Sequence, residues 1–258
     1  MSHRQEDVFA AALRCRTEGQ ASVLVTVIGV GGSAPRAPGA RMLVTSGGRV
    51  AGTIGGGNAE HRAIAMATAA LEARTPSRVT LHLQHDLGMC CGGTMELFID
   101  PLPAPPQLVV FGAGHVGSAL APIALQLDFD VTVVDARPDW ADPRRLPGCA
   151  VRCEDPLRWL EAAPLRADAY YLVVTHDHAL DQDLIERLLP RASAWVGLIA
   201  SRAKVARFRT RLCAAGMDEH LFERLSSPVG LAIGAQTPAE IAVSIAAQLV
   251  QRRHQADA

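Results

Sequence analysis

The chain has 258 residues, 49% of them hydrophobic and 20% charged, which is the make-up of a packed globular protein with room for two modest domains and excludes a disordered one. Twenty-five Lys and Arg against 26 Asp and Glu leave a formal charge of −1, and aromatics are 4%; neither a global field nor a set of stacking rings favours nucleic acid as a partner. No stretch approaches the ~20 uninterrupted apolar residues of a membrane span, and the acid-bearing opening MSHRQEDVFAAALR is unlike a signal peptide, so a soluble, cytoplasmic protein is expected.

A helix near 4–18 is followed by the β-branched strand ASVLVTVIGV, a loop through Ser33 to Gly39, and RMLVT and RVAGTI flanking a Ser-Gly-Gly turn as a hairpin. Gly55-Gly56-Gly57 then opens a helix with Asn58 as its expected cap. The freed amides and the helix dipole there could hold an anion, or the glycines could form only a flexible turn. SRVTLHLQ and TMELFID are strands on either side of HDLGMCCGG, which presents Cys90 and Cys91 in a small-residue loop. Adjacent cysteines lack zinc spacing; they suit contact with a soft metal centre, redox exchange, or a role as small hydrophobes. The six cysteines together fit reduced thiols better than a disulfide framework.

Four prolines in Pro101–Pro106 mark a linker at 101–106, separating an N-terminal domain (1–100) from a C-terminal one (107–258). Beyond it, strands QLVVF, DVTVVDA, AYYLVVT and AWVGLIA and a short strand ending near Arg152 alternate with helices over 115–127, 156–163, 180–190 and 202–215. The fold class is therefore α/β, its second domain a Rossmann-type, doubly wound parallel sheet.

Gly112-Ala113-Gly114-His115-Val116-Gly117 directly follows an apolar strand and opens a helix, the context in which a glycine fingerprint cradles a phosphate. Asp135 ends the next strand at the spacing of a ribose-binding carboxylate, with Arg137 close by, so an NAD(P)-dependent oxidoreductase is one reading. Thr175-His176-Asp177-His178 falls at the carboxyl edge of the sheet, where ligands bind, and Asp181 could orient a histidine or mark the helix start. Arg202 and Lys204 could reach a phosphate, while Arg207, Arg209 and Arg211 belong to a solvated face. Thr237-Pro238-Ala239-Glu240 is a capping signal for the last helix. No nucleophile or metalloprotease motif is visible, so no catalytic residue is assigned.

Taken in order, GSAPRAPGARMLV, GTIGGGNAE, DLGMCCGG, FGAGHVG, VTHDHALD, VGLIASRAK and PVGLAIGAQTPAEIAVSIAAQLV resemble the XdhC/CoxI family of xanthine dehydrogenase accessory proteins over nearly the whole chain. The resemblance implies a family-specific N-terminal α/β domain before the Rossmann domain, and a homodimer. It further implies a chaperone that binds molybdenum cofactor (molybdopterin), supports its sulfuration with a cysteine desulfurase, and inserts it into apo xanthine dehydrogenase or a related molybdoenzyme. On that basis Gly112, Gly114, His115, Gly117 and Asp135, the Gly55–Gly57 turn with Asn58, the loop residue Arg36, and Thr175 to His178 are candidate cofactor contacts, and Arg36 and Arg41 are candidate phosphate or partner contacts. Cys90 and Cys91 are the candidate contacts to molybdenum. Asn58 stands where many members carry Cys, and Ala200 where Gly-Ser-Arg is common.

Overall fold

A computed structural model describes residues 7–84, 93–163 and 166–256. The chain divides between Pro105 and Pro106 into two compact units.

The first unit begins with α1 (Val8–Thr17), capped by Asp7, whose carboxylate accepts from the Phe9 amide. It continues with β1 (Ser22–Gly31), β2 (Arg41–Thr45), β3 (Gly48–Gly52), α2 (Gly57–Ala73), β4 (Ser77–His82) and β5 (Thr94–Leu102). The strands form one sheet in the order β3-β2-β1-β5-β4, and every adjacent pair is antiparallel. The expected Ser-Gly-Gly hairpin is the β2–β3 turn, with Thr45 paired to Gly48. Period-two alternation sends Val23, Val25, Val27, Met42 and Val44 to one face, where Ala59, Ala63, Ala67 and Ala70 of α2 cover them; Leu43 and Ala51 meet Ala11 and Cys15 of α1 on the other.

Two expectations need correction. Asn58 does not cap α2: the cap is Gly56 at φ 75°, a conformation glycine reaches without strain, and the helix starts one residue before Asn58. Nor is 101–106 all linker, because β5 runs through Pro101 and Leu102. Pro101 is tolerated because β4 pairs only with residues 94–99 of β5, so Pro101 faces a partner, Val23 of β1, on one side alone.

The second unit runs β6 (Gln107–Phe111), α3 (His115–Gln126), β7 (Asp130–Val134), β8 (Ala150–Arg152), α4 (Pro156–Ala162), β9 (Tyr170–Val173), α5 (His178–Leu188), β10 (Trp195–Leu198), α6 (Arg202–Ala214), β11 (Leu225–Ser226) and α7 (Pro238–Ala256). Its sheet has the order β11-β10-β9-β6-β7-β8 and is parallel throughout, the doubly wound topology with its switch point between β6 and β9. On one face Leu108, Val110, Val131 and Leu172 pack under Leu120 and Ala124 of α3 and Ile245 and Leu249 of α7. On the other, Val109, Phe111, Tyr171 and Val196 pack under Leu160, Leu184, Leu188 and Phe208 of α4, α5 and α6. Each such aliphatic or aromatic side chain taken out of water contributes about 1.5–3 kcal/mol, so the two covered faces dominate the unit's stability. β11, which no periodicity announces, is secured by the Trp195 indole donating to Ser226 Oγ at 2.7 Å. Thr237 and Glu240 form the expected reciprocal cap of α7, with Thr237 N donating to Glu240 Oε2 at 2.9 Å and Glu240 N to Thr237 Oγ1 at 3.3 Å.

Candidate functional site

The three fingerprint glycines do different work. Gly112 sits at φ +116° at the switch point, where a Cβ would lie 2.5 Å from the Val174 carbonyl oxygen. A Cβ on Gly117 would lie 2.0 Å from the Gly112 oxygen, so α3 can approach its own strand only without a side chain there. Gly114 is different: its φ of −65° suits any residue, and the nearest atom to an added Cβ is Arg137 Nη2 at 3.9 Å. It therefore leaves open space in front of α3, whose first turn has no side-chain cap, and a guanidinium at the rim of that space.

Asp135 is 5% exposed and engaged on both oxygens. Oδ2 accepts from Ala113 N at 2.8 Å and from Arg137 Nη2 at 2.6 Å; Oδ1 accepts from Arg137 N at 3.0 Å and Nε at 2.9 Å. Burial pushes the carboxyl up, but the Arg137 side chain and the two amides outweigh it and hold Asp135 below the usual aspartate value. A ribose hydroxyl would have to displace Arg137 to reach this carboxylate. Asp135 thus acts as a strut, fixing the glycine turn and aiming Arg137. Arg137 and Arg145 both lie over the Trp140 ring, 5.2 Å and 4.6 Å from its centroid, and His115 meets that ring edge-on at 4.9 Å. The crevice bounded by Gly112, Asp135, Arg137, Thr175 and His176 is only about 40 Å³, room for a water or two but not for a whole nucleotide.

Beyond β9, Asp177 caps α5 by accepting from Ala179 N at 2.8 Å and Leu180 N at 3.5 Å, which starts the helix two residues earlier than the sequence pattern indicates. Asp181 is 1% exposed; its Oδ1 accepts from Thr175 Oγ1 at 2.6 Å and its Oδ2 from Lys204 Nζ at 2.6 Å. Lys204 Nζ also stands 2.6 Å from His178 Nδ1. The structure thus brings Thr175 and His176 to the crevice beside Gly112, places Asp177 as a cap, and turns His178 toward α6. Lys204, expected near a phosphate, is buried against Asp181; Arg202 is exposed at the first position of α6. Arg207, assigned to a solvated face in the sequence, lines a cleft with His178 and Lys204. The i,i+3 spacing to Lys204 is the only signal that could have found it.

In the first unit, Gly55 lies against the Ser33–Gly39 loop: a Cβ there would come within 2.6 Å of Pro35 and 3.5 Å of Arg36 Cγ. Arg36 and the glycine turn are therefore neighbours. Glu60, from the first turn of α2, reaches back into the turn to accept from Thr53 Oγ1, from Ile54 N at 3.2 Å and from the Gly56 backbone. Burial raises its carboxyl pKa, and these hydrogen bonds with Arg49 nearby more than offset that, giving a net lowering. The Glu60 carboxylate thus already takes part of this turn's donor capacity, and its charge would weaken, without barring, the binding of an anion there. Cys90 and Cys91 lie outside the described residues, but Leu83 N donates to Gly93 O at 2.9 Å, so the chain on either side of 85–92 comes together. A Cβ on Gly93 would lie 2.2 Å from Ser33 O, which sets that junction against the Arg36 loop.

Among the described residues no group of three or more His, Cys, Asp or Glu is arranged to hold a metal ion, and no helix is long and apolar enough to cross a membrane. Residues 15–83 match the description of the XdhC and CoxI family, and residues 108–249 that of the XdhC Rossmann domain. An Escherichia coli (strain K12) protein called "Uncharacterized protein YqeB" is 34% identical over 256 residues, 97% of this chain and 47% of that one. A Bacillus subtilis (strain 168) protein, named as a probable xanthine dehydrogenase component, is 33% identical over 175 residues, 67% of this chain and 49% of its own. The chain spans about half the length of these curated relatives. A crystal structure described as a xanthine dehydrogenase from Bacillus halodurans superposes with a TM-score of 0.54 at 23% identity over 95% of both chains, a likeness of fold. With one family description matched in each unit, and in this order, the chain belongs to the XdhC and CoxI family.

Proposed function

We propose that this protein is an accessory factor for xanthine dehydrogenase or a related molybdoenzyme, binding molybdenum cofactor, supporting its sulfuration with a cysteine desulfurase, and inserting it into the apoenzyme. The observation that carries the reading is the uncapped first turn of α3, opened by Gly114 and flanked by Arg137. A phosphate is the group such a cradle suits: amides and the helix dipole supply partial positive charge, and a guanidinium supplies a fork. Asp135 holds Arg137 in place, and the Trp140 ring, with Arg137 and Arg145 over it and His115 at its edge, offers a surface beside it. When bound, the cofactor would supply a molybdenum dithiolene centre, and the chain's own part is to bind, orient and release it. Cys90 and Cys91 are the proposed contacts to that centre, by the affinity of soft thiolates for such metals. Arg36 and the Gly55–Gly57 turn with Asn58 remain a second proposed contact set, and a homodimer is the proposed assembly.

Anaerobic purification, with molybdenum quantified and any bound pterin oxidised to its fluorescent product, tests the proposal. Near-stoichiometric pterin and molybdenum, with pterin reduced in Gly114→Ala and molybdenum reduced in Cys90→Ser/Cys91→Ser, is the expected result. Absence of both after incubation with excess cofactor would overturn it.

A further inference from the structure

We infer that the cleft between the carboxyl end of β10 and the α5–α6 pair is a second ligand site, which takes the phosphate group of an organic phosphate monoester. The inference does not rest on the function proposed above. The cleft, about 380 Å³, is lined by the polar residues His178, Lys204 and Arg207 of α5 and α6 and by the apolar residues Ile199, Pro228 and Val229. Its charged wall is built rather than incidental. Lys204 is 8% exposed, and Asp181, at 1%, fixes its ammonium while being itself anchored by Thr175. Lys204 Nζ, which donates to Asp181 Oδ2, lies 2.6 Å from His178 Nδ1, and an Nζ–H to Nδ1 hydrogen bond there places the ring proton on Nε2. His178 is 82% exposed in its side chain, so that Nε2–H donor is available to a ligand.

Arg207 completes the set. Of the other basic side chains on α6, Arg209 is 3.5 Å from Glu219, Arg211 3.4 Å from Gln182, Lys204 is paired with Asp181, and Arg202, exposed at the first position, is not part of the lining of this cleft. Arg207 has no ion-pair or hydrogen-bond partner among the described residues, and it lines this cleft and the adjoining one between α5 and α6. Three residues that carry an ammonium, an imidazole N–H and a guanidinium fork line one space, a set that disfavours a cation and suits an oxyanion. Donors on three separate side chains match the three free oxygens of a phosphate monoester better than the two of a carboxylate. The apolar wall of Ile199, Pro228 and Val229 would then cover the organic part.

The test follows the His178 ring by two-dimensional proton–nitrogen NMR on the full chain, its signals assigned by their loss in His178→Gln, during titration with phenyl phosphate and with inorganic phosphate. Expected are an Nε2–H tautomer and a saturable shift with both anions, with phenyl phosphate at least about fivefold tighter because its ring meets the apolar wall. Arg207→Gln, an exposed substitution that should not disturb folding, should weaken both by about tenfold, while Gly114→Ala should leave them unchanged. Absence of a saturable His178 shift, or unchanged binding in Arg207→Gln, would overturn the site. Equal affinity for the two anions would overturn the monoester assignment, and loss of the shift in Gly114→Ala would merge this cleft with the glycine turn and overturn its independence.

Discussion

Asp135 accepts the amide of Ala113 at 2.8 Å across 22 residues of sequence, tying the end of β7 to the middle of the glycine turn after β6. The same carboxylate holds Arg137 through its Nε and Nη2. Asp135→Asn keeps the shape but offers a single acceptor oxygen and no charge, so it should destabilise the second unit by about 2 kcal/mol or more at neutral pH and lower affinity for phosphate-bearing cofactor. The pH dependence has a definite sign. Because the folded-state pKa lies below the unfolded one, the stabilisation is present in full above the ordinary aspartate value and fades as pH falls through the folded value. Urea melts of wild type and Asp135→Asn should therefore differ fully at pH 7 and converge below about pH 4. A gap that persists or widens in acid would show that the carboxylate's charge is not what stabilises the turn.

Gly114 and Gly117 separate binding from folding. A Cβ at position 117 would lie 2.0 Å from backbone, so Gly117→Ala forces α3 off its strand and should cost about 2–3 kcal/mol or prevent folding. At position 114 the backbone is ordinary and the space is open, so Gly114→Ala should cost under about 1 kcal/mol in thermal melts, the difference between glycine and alanine at a helix cap. Its added methyl stands where a phosphate would approach, so cofactor retention should fall by about tenfold while the fold survives. Equal retention by Gly114→Ala and wild type would remove this turn from the proposed site.

Glu60 offers a test in the other unit. Its carboxylate holds Thr53, Ile54 and Gly56, and it lies 3.5 Å from Arg49, with a folded pKa below the usual glutamate value. Glu60→Gln should cost about 1–2 kcal/mol at pH 7, and the cost should shrink as pH falls below about 4, where the native carboxyl also becomes protonated. If Gly55–Gly57 is an anion cradle, removing the charge should also strengthen phosphate binding to this unit; unchanged binding would leave the glycines as a turn shaped to receive Pro35.

The backbone of this protein is largely legible in its sequence, because each unit's elements carry strong periodicity and glycine or proline punctuation. Apolar alternation locates the hairpin and the parallel strands, and Gly112 with Gly117 can be read from context since only close backbone approach demands glycine at both. What sequence cannot reveal is which polar groups are already engaged. Asp135 has the spacing of a ribose ligand, yet Arg137, two residues on, occupies it. Asn58 looks like a cap, but Gly56 reaches a conformation that starts the helix sooner. Arg207 resembles any solvated helical arginine until the neighbouring loop, brought close only by the tertiary fold, makes one side of its surroundings a cleft. β11 is two residues long and exists because Trp195 finds Ser226, a contact without a local signature.

The Lys204–Asp181 pair tests whether this edge of the sheet is organised by charge. Both groups are buried, and removing either partner leaves an uncompensated charge, so Lys204→Met and Asp181→Leu should each cost about 3–5 kcal/mol. Replacing both removes both desolvation penalties, so Lys204→Met/Asp181→Leu should recover most of that stability, giving a coupling energy of about 2 kcal/mol or more in a double-mutant cycle followed by urea denaturation. Thr175 moderates the outcome: its hydroxyl would lose the Asp181 acceptor in the double variant, and adding Thr175→Val should restore the remainder. Additive losses would mean that the pair contributes no mutual stabilisation and that Lys204 is held by packing against Phe208, whose ring centroid is 5.4 Å from its Nζ, instead of by Asp181. A strong coupling that coincides with loss of the Nε2–H tautomer of His178 in the double variant would show that the buried pair fixes the histidine as well as the fold.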